Sequence, residues 1–229
     1  MPLFYQPQIQ QGISFLDLEE SRHAIQVLRL RERDAIQIVD GQGILYSARI
    51  TKADAKKCLF EVIERKVIER RKCFVHIAIA PTKNIDRTEW FVEKAVEIGV
   101  EKITFTQCQH SERKVINLER IQKVAISAMK QSGQAWLPSI EGLVDFNTVF
   151  TAKEKEKFIA HVDSNNPLHL KDAYTKNSDY VVLIGPEGDF SQQELEQAQQ
   201  NGFKKVSLGV NRLRTETAAL AACHILALQ

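Results

Sequence analysis

Two glycine-bearing stretches late in the chain hold the residues best suited to chemistry. They are Gly185-Pro-Glu-Gly-Asp-Phe-Ser191 and Leu208-Gly-Val-Asn-Arg-Leu-Arg-Thr-Glu-Thr-Ala218. In the first, Pro186 stiffens a turn and Gly188 permits a positive φ or a close backbone approach, so the loop amides can wrap a small polar ligand. Glu187 and Asp189 add charge that a plain turn does not need. In the second, Thr215 reads as a helix N-cap and Glu216 suits a first helical turn. Arg212 and Arg214 stand just before that helix, where the positive end of the helix dipole disfavours cations. Arg214 is thus a candidate for holding a phosphate or a developing anion. Neither loop is GxxxxGK[ST] or GxGxxG, which argues against a P-loop or a dinucleotide fingerprint.

Other polar groups carry weaker signals. Arg22, His23, Arg29, Arg31 and Arg33 crowd one short segment, and Arg65, Lys66, Arg70, Arg71 and Lys72 another. Residues 1–75 carry a formal charge of +3 and the rest −1, a mild excess that fits either RNA contact or solvated surface. His110-Ser-Glu-Arg113 follows a strand end, a usual place for site residues, whereas His76 lies inside an apolar strand and reads as a satisfied core residue. Lys83, Arg87, Gln131 and Ser132 are polar groups at element ends. The six histidines show no HxxxH or HxH spacing and the cysteines no CxxC pair, so no metal site is expected. Cys58, Cys73, Cys108 and Cys223 read as reduced, buried thiols of a cytoplasmic protein. No apolar run reaches the roughly 18 residues of a membrane span, and no secretory leader is visible, so no membrane partner is expected.

The elements that must position these groups fall into two blocks. Residues 1–70 read as a small β-barrel-like module: a helical piece from Glu19 to Leu28, then strands Ala35 to Val39, Ile44 to Ile50 and Cys58 to Ile63, with a turn at Asp40-Gly-Gln-Gly43. The charged run Glu64 to Lys72 reads as a linker or an exposed strand end. Residues 71–229 alternate strand and helix. Strands are expected at Phe74 to Ala80, Ile103 to Thr106, Phe158 to Val162, Val181 to Ile184 and Val206 to Leu208. Helices are expected after a capping box at Asp86-Arg-Thr-Glu89, over Leu118 to Gln131, after the capping box Ser191-Gln-Gln-Glu194, and over Thr215 to Leu228. Such alternation implies a mostly parallel sheet covered on both faces, with a ligand crevice at its strand ends.

Taken together, the GPEGDFS loop, the LGVNRLRTETA loop and the element His23-Ala-Ile-Gln-Val-Leu-Arg-Leu30 resemble the RsmE-type 16S rRNA uridine-N3 methyltransferases of the SPOUT superfamily. Residues 83–99, Ser111-Glu-Arg113 and Lys130-Gln-Ser-Gly133 resemble further family blocks in the same order. The pattern departs at Asp189, where glycine is usual, and at Asn211-Arg212, where Arg-Ile is usual. The resemblance implies a small PUA-like β-barrel that grips rRNA, followed by an α/β domain whose C-terminal chain forms a deep trefoil knot. It implies S-adenosylmethionine as cofactor, bound by Ile184, Gly185, Pro186, Glu187, Gly188, Leu208, Gly209, Asn211, Leu213 and Thr217. It implies a homodimer acting on the small ribosomal subunit, with Arg22, His23, Arg29, Arg31, Lys83 and Arg87 as RNA contacts. For uridine N3, which must lose a proton before it attacks, Arg214 is the expected anion stabiliser and Glu216 either a base or a helix-start residue. A tRNA 2′-O-ribose methyltransferase and a non-catalytic RNA-binding module stay open as alternatives.

Overall fold

The computed structural model describes residues 1–162 and 168–228. The chain divides into two compact units: Met1–Arg70 with Ile126–Leu137, and the remainder from Arg71 onward. In the first, β1 (Leu3–Tyr5), β2 (Ala35–Val39), β3 (Ile44–Lys52) and β4 (Leu59–Val67) form a sheet in that order. β1 runs parallel to β2, and the other pairs are antiparallel. Alternation along β3 turns Ile44, Tyr46, Ala48 and Ile50 inward against Phe4, Ile36 and Ile38. β4 continues to Val67, so the start of the charged run after Ile63 is a strand end.

The expected helical piece is two structures. α1 (Leu18–Arg22) is capped by Asp17, whose carboxylate accepts the Glu20 N–H at 2.8 Å, and it runs into a π-helical turn, His23–Val27. Arg29 and Arg33 follow with φ of 56° and 73°, a region non-glycine residues seldom occupy. The backbone between and after them is tied down: Asp34 accepts the Arg31 N–H at 2.7 Å, and Arg33 donates its backbone N–H to the Ile50 carbonyl at 2.8 Å. In the turn before β3, Asp40 accepts the N–H groups of Gln42 and Ile44, and Gly43 adopts φ 95° against the ring of Trp136.

The second unit holds six parallel strands in the order β10-β8-β9-β5-β6-β7. They are β5 (Phe74–Ile79), β6 (Lys102–Gln107), β7 (Ser139–Asp145), β8 (Glu156–Ala160), β9 (Asp179–Ile184) and β10 (Lys204–Val206). β5 and β9 lie in the middle and, past Asp179 at the start of β9, are almost wholly apolar, as strands buried on both faces must be. The exception is His76, as expected a satisfied core residue: its ring nitrogens lie 2.7 Å from Glu154 and 2.8 Å from Thr104 Oγ1. β10 sits two residues earlier than the sequence suggested. Of its residues only Val206 is buried, because it is an edge strand.

The helices are α2 (Ile85–Ile98), α3 (Leu118–Gln131), α4 (Leu170–Ala173), α5 (Gln192–Gln200) and α6 (Thr215–Ala227). Asn84, not Asp86, caps α2, accepting the Asp86 N–H at 3.1 Å. The capping box of α5 is present as expected. Arg214 occupies the N-cap position of α6 without a capping hydrogen bond, so Thr215 is the first helical residue instead of the cap. Among the described residues no helix is long and apolar enough to cross a membrane.

All four cysteines are free and buried. Burial pushes the Cys223 thiol up to about 12 and raises Cys58, Cys73 and Cys108 above the usual thiol range. A group charged only above its pKa is then neutral and unreactive at physiological pH. Native protein at pH 8 is expected to resist iodoacetamide at all four positions, with full alkylation only in denaturant. Mass spectrometry of the intact chain reads this directly.

Candidate active site

The carboxyl ends of β8, β9 and β10 enclose a cavity of about 860 Å³. This is within the size range of small-molecule sites and in the usual position for a parallel sheet. Most of its walls come from three segments: 160–162 at the end of β8, Ile184 to Glu187 with Asp189 after β9, and Ser207 to Thr215 after β10. It collects Ile184, Gly185, Pro186, Glu187, Leu208, Gly209, Asn211, Leu213 and Arg214 from the sequence-derived site. Gly188, Glu216 and Thr217 lie off its lining. His161, His169, Ser207, Val210 and Arg212 line it as well. The sequence offered no signal for either histidine: His161 fell inside the strand expected over Phe158 to Val162, whereas β8 ends at Ala160 and leaves it just past the strand end.

The 185–191 loop is fixed from below and from the side. Phe190 is buried beneath it, and a Cβ on Gly185 would come within 3.1 Å of that ring, so any side chain there would have to displace the ring by a few tenths of an ångström. Glu187 accepts the Lys83 N–H at 2.9 Å. Glu194 takes part in the capping box with Ser191 and also accepts the Gln109 N–H at 2.7 Å, which joins this loop to the one after β6. There the His110 ring lies 3.0 Å from the Asp189 carbonyl. Arg113 donates to the carbonyl of Thr82 at 2.9 Å and steadies the segment carrying Lys83.

In the second loop Ser207 Oγ accepts the Gly209 N–H at 3.1 Å and donates to its carbonyl, a local turn that opens the backbone toward the cavity. Arg214 is exposed on the lining and forms no ion pair among the described residues. Glu216 is buried at the start of α6; its Oε1 lies 3.8 Å from Arg87 Nε, and its Oε2 has no hydrogen-bond partner among the described residues. Its charge is carried by the α6 N-terminus, where the helix dipole favours an anion. Among the described residues no group of three or more potential ligands could hold a metal ion.

An RNA methyltransferase domain model matches residues 69–227, and an RNA methyltransferase PUA domain model matches residues 16–63. The chain belongs to the RNA methyltransferase family. A probable rRNA-methyltransferase from Porphyromonas gingivalis is 42% identical, with a TM-score of 0.91 over 97% of this chain and 95% of that one. Ribosomal RNA small subunit methyltransferase E from Neisseria gonorrhoeae, solved with S-adenosyl methionine, is 30% identical, with a TM-score of 0.84 over 97% and 95%. The enzyme of the same name from Rickettsia conorii is 29% identical over 86% of this chain and 81% of its own.

This methyltransferase places the six RNA-contact candidates in two settings. In the first unit, Arg22, Arg29 and Arg31 are exposed and form no ion pair among the described residues. His23 is half-buried, edge-on to Phe4 and 3.9 Å from Glu20. In the second unit, Lys83 is 2.7 Å from Glu112, which holds the lysine above its usual pKa, and Arg87 faces Glu216. The first group is free to meet phosphate; the second is engaged by carboxylates.

Proposed function

We propose that this methyltransferase uses S-adenosylmethionine to methylate N3 of a specific uridine in 16S rRNA. The observation that carries this reading is a cavity at the ends of three parallel strands, lined by the two glycine-bearing loops, with an arginine on its lining that forms no ion pair among the described residues. The cavity volume and the glycine positions of the two loops fit a ligand of nucleoside size with several polar groups. When bound, the cofactor supplies an electrophilic methyl group.

The chain's own residues do the rest. Residues 184–187 and 207–213 hold and orient the donor. Arg214 presents a guanidinium toward the uracil carbonyls, where charge gathers once N3 loses its proton. Arg22, Arg29 and Arg31, with His23 beside them, contact the RNA backbone from the PUA-like unit, spanning residues 1–70, while residues 71–229 carry the chemistry. Such phosphate contacts give salt-dependent affinity. The target base must be unstacked to enter. β10 lies at the sheet edge while α6 packs on α2 and over β5 and β9. That return path supports a chain threaded as a trefoil knot. Two copies form the working cytoplasmic enzyme in this reading.

Glu216 serves in this scheme as the link between α6 and Arg87 of α2 and not as the base. Glu216→Gln is expected to keep turnover within roughly threefold, far from the 10²–10⁴-fold that loss of a general base costs. Single-turnover rates decide it.

The main test is methyl transfer to small subunits from a strain lacking this protein, followed by nucleotide mapping. One uridine modified at N3 is expected. Methylation of a ribose, or of no site, would overturn the assignment.

A further inference from the structure

Among the described residues the cavity lining carries two carboxylates, Glu187 and Asp189. Glu187 is turned to the Lys83 amide. Asp189 is held differently. Its φ is 62°, its carboxylate accepts the Phe190 N–H at 2.8 Å, and His161 Nδ1 lies 3.2 and 3.1 Å from its two oxygens. The backbone of His161 is itself anchored, its main-chain N–H donating to the Val206 carbonyl at 3.2 Å. An aspartate that is one-third exposed would ordinarily sample several rotamers; this one is locked on the wall of the cavity. A fixed carboxylate on a partly enclosed surface acts on a nearby cation more strongly than a mobile one in water, because neither solvent nor side chain must reorganise.

We infer that Asp189, positioned by His161, is a charge filter that makes this cavity favour the sulfonium donor over the neutral product. The inference rests on the reading of the cavity as the S-adenosylmethionine site. In transfer the N3 proton would pass to solvent, the S–CH₃ bond would break with its electron pair left on sulfur, and the methyl would join N3. S-adenosylhomocysteine keeps the ammonium, carboxylate and adenosine groups and loses only the sulfonium charge. A carboxylate that senses the sulfonium therefore separates the two ligands, whereas one that binds the ammonium or the adenine weakens or strengthens both alike. The chemical consequence is easier product release.

Isothermal titration with each ligand tests this without an activity readout. Asp189→Asn keeps the shape and removes the charge, and is expected to weaken S-adenosylmethionine binding about tenfold while leaving S-adenosylhomocysteine within about twofold. Sinefungin, with an ammonium in place of the sulfonium, should follow S-adenosylmethionine. Asp189→Gly, which suits the positive φ, should give the same change in ratio and so separates charge from backbone strain. His161→Asn, which keeps the charge but frees it, should narrow the ratio by less. An unchanged ratio, or equal losses for both ligands, overturns the inference alone. Wild-type protein that binds neither ligand overturns the cofactor reading beneath it.

Discussion

Arg214→Ala is expected to slow methyl transfer by about 10²–10³-fold, or roughly 3–4 kcal/mol of transition-state stabilisation, the usual cost of removing one preorganised group aimed at a developing anion. The dissociation constant for S-adenosylmethionine should move by no more than about threefold, because donor binding rests on backbone from the two loops. Three observations make the variant clean. The guanidinium has no ion pair among the described residues to break. The Arg214 side chain makes no capping bond, while its carbonyl accepts the Ala218 N–H at 2.8 Å and is untouched by the substitution. Removing a cation from a helix N-terminus does not weaken the helix. Melting temperature should therefore hold steady while rate collapses. Arg214→Lys should recover part of the rate, since a point charge replaces the charge but not the planar fork. A full wild-type rate for Arg214→Ala, with the donor bound, would remove the electrostatic role.

The second large effect is on stability. Gly43→Ala places a Cβ inside the Trp136 ring at a position whose φ is 95°. The ring cannot yield freely: its Nε1–H donates to the Ile68 carbonyl at 2.9 Å, and the Arg70 guanidinium lies 4.0 Å above it. Backbone strain of about 1–3 kcal/mol and overpacking of about 1–3 kcal/mol act together, for an expected loss near 4 kcal/mol in the first unit. Urea unfolding followed by Trp136 fluorescence, in a Trp90→Phe background, reads that unit alone. A midpoint within error of wild type would mean the turn reshapes at no cost.

How much of this was legible beforehand depends on burial. β5 and β9 declared themselves because a central parallel strand is apolar on both faces, and α5 because Ser191 and Glu194 satisfy each other's neighbouring amides. β7 escaped notice because Ser139–Asp145 is nowhere fully buried and carries Glu141 and Gly142. β1 escaped because three residues have no period to read. The misplaced β10 has the same origin: at a sheet edge only Val206 needs to be apolar, and the run Val206 to Leu208 drew the assignment past its end. The two loops were found by their glycines and charges. His161 and His169 were not, because histidine spacing along the chain says nothing about which strand ends meet in space. The cap of α2 went to Asn84 since an Asx side chain two residues earlier outcompeted the Asp86 pattern.

The three-residue edge strand has one more consequence. β10 hangs on the sheet by its pairing with β8, and residues 168–170 clasp Ser207 through the Ser207 N–H to Leu168 carbonyl and Leu170 N–H to Ser207 carbonyl bonds, at 2.8 and 2.9 Å. So small a unit can open without disturbing the central strands, and its amides then exchange with solvent well before those of β5 or β9. Yet the segment it launches, 207–215, is one wall of the cavity. Any molecule that binds only the closed wall must slow that exchange in proportion to its concentration over its dissociation constant. The amides of Lys204 to Ser207 thus act as a built-in gauge of occupancy, readable by deuterium uptake long before global unfolding begins.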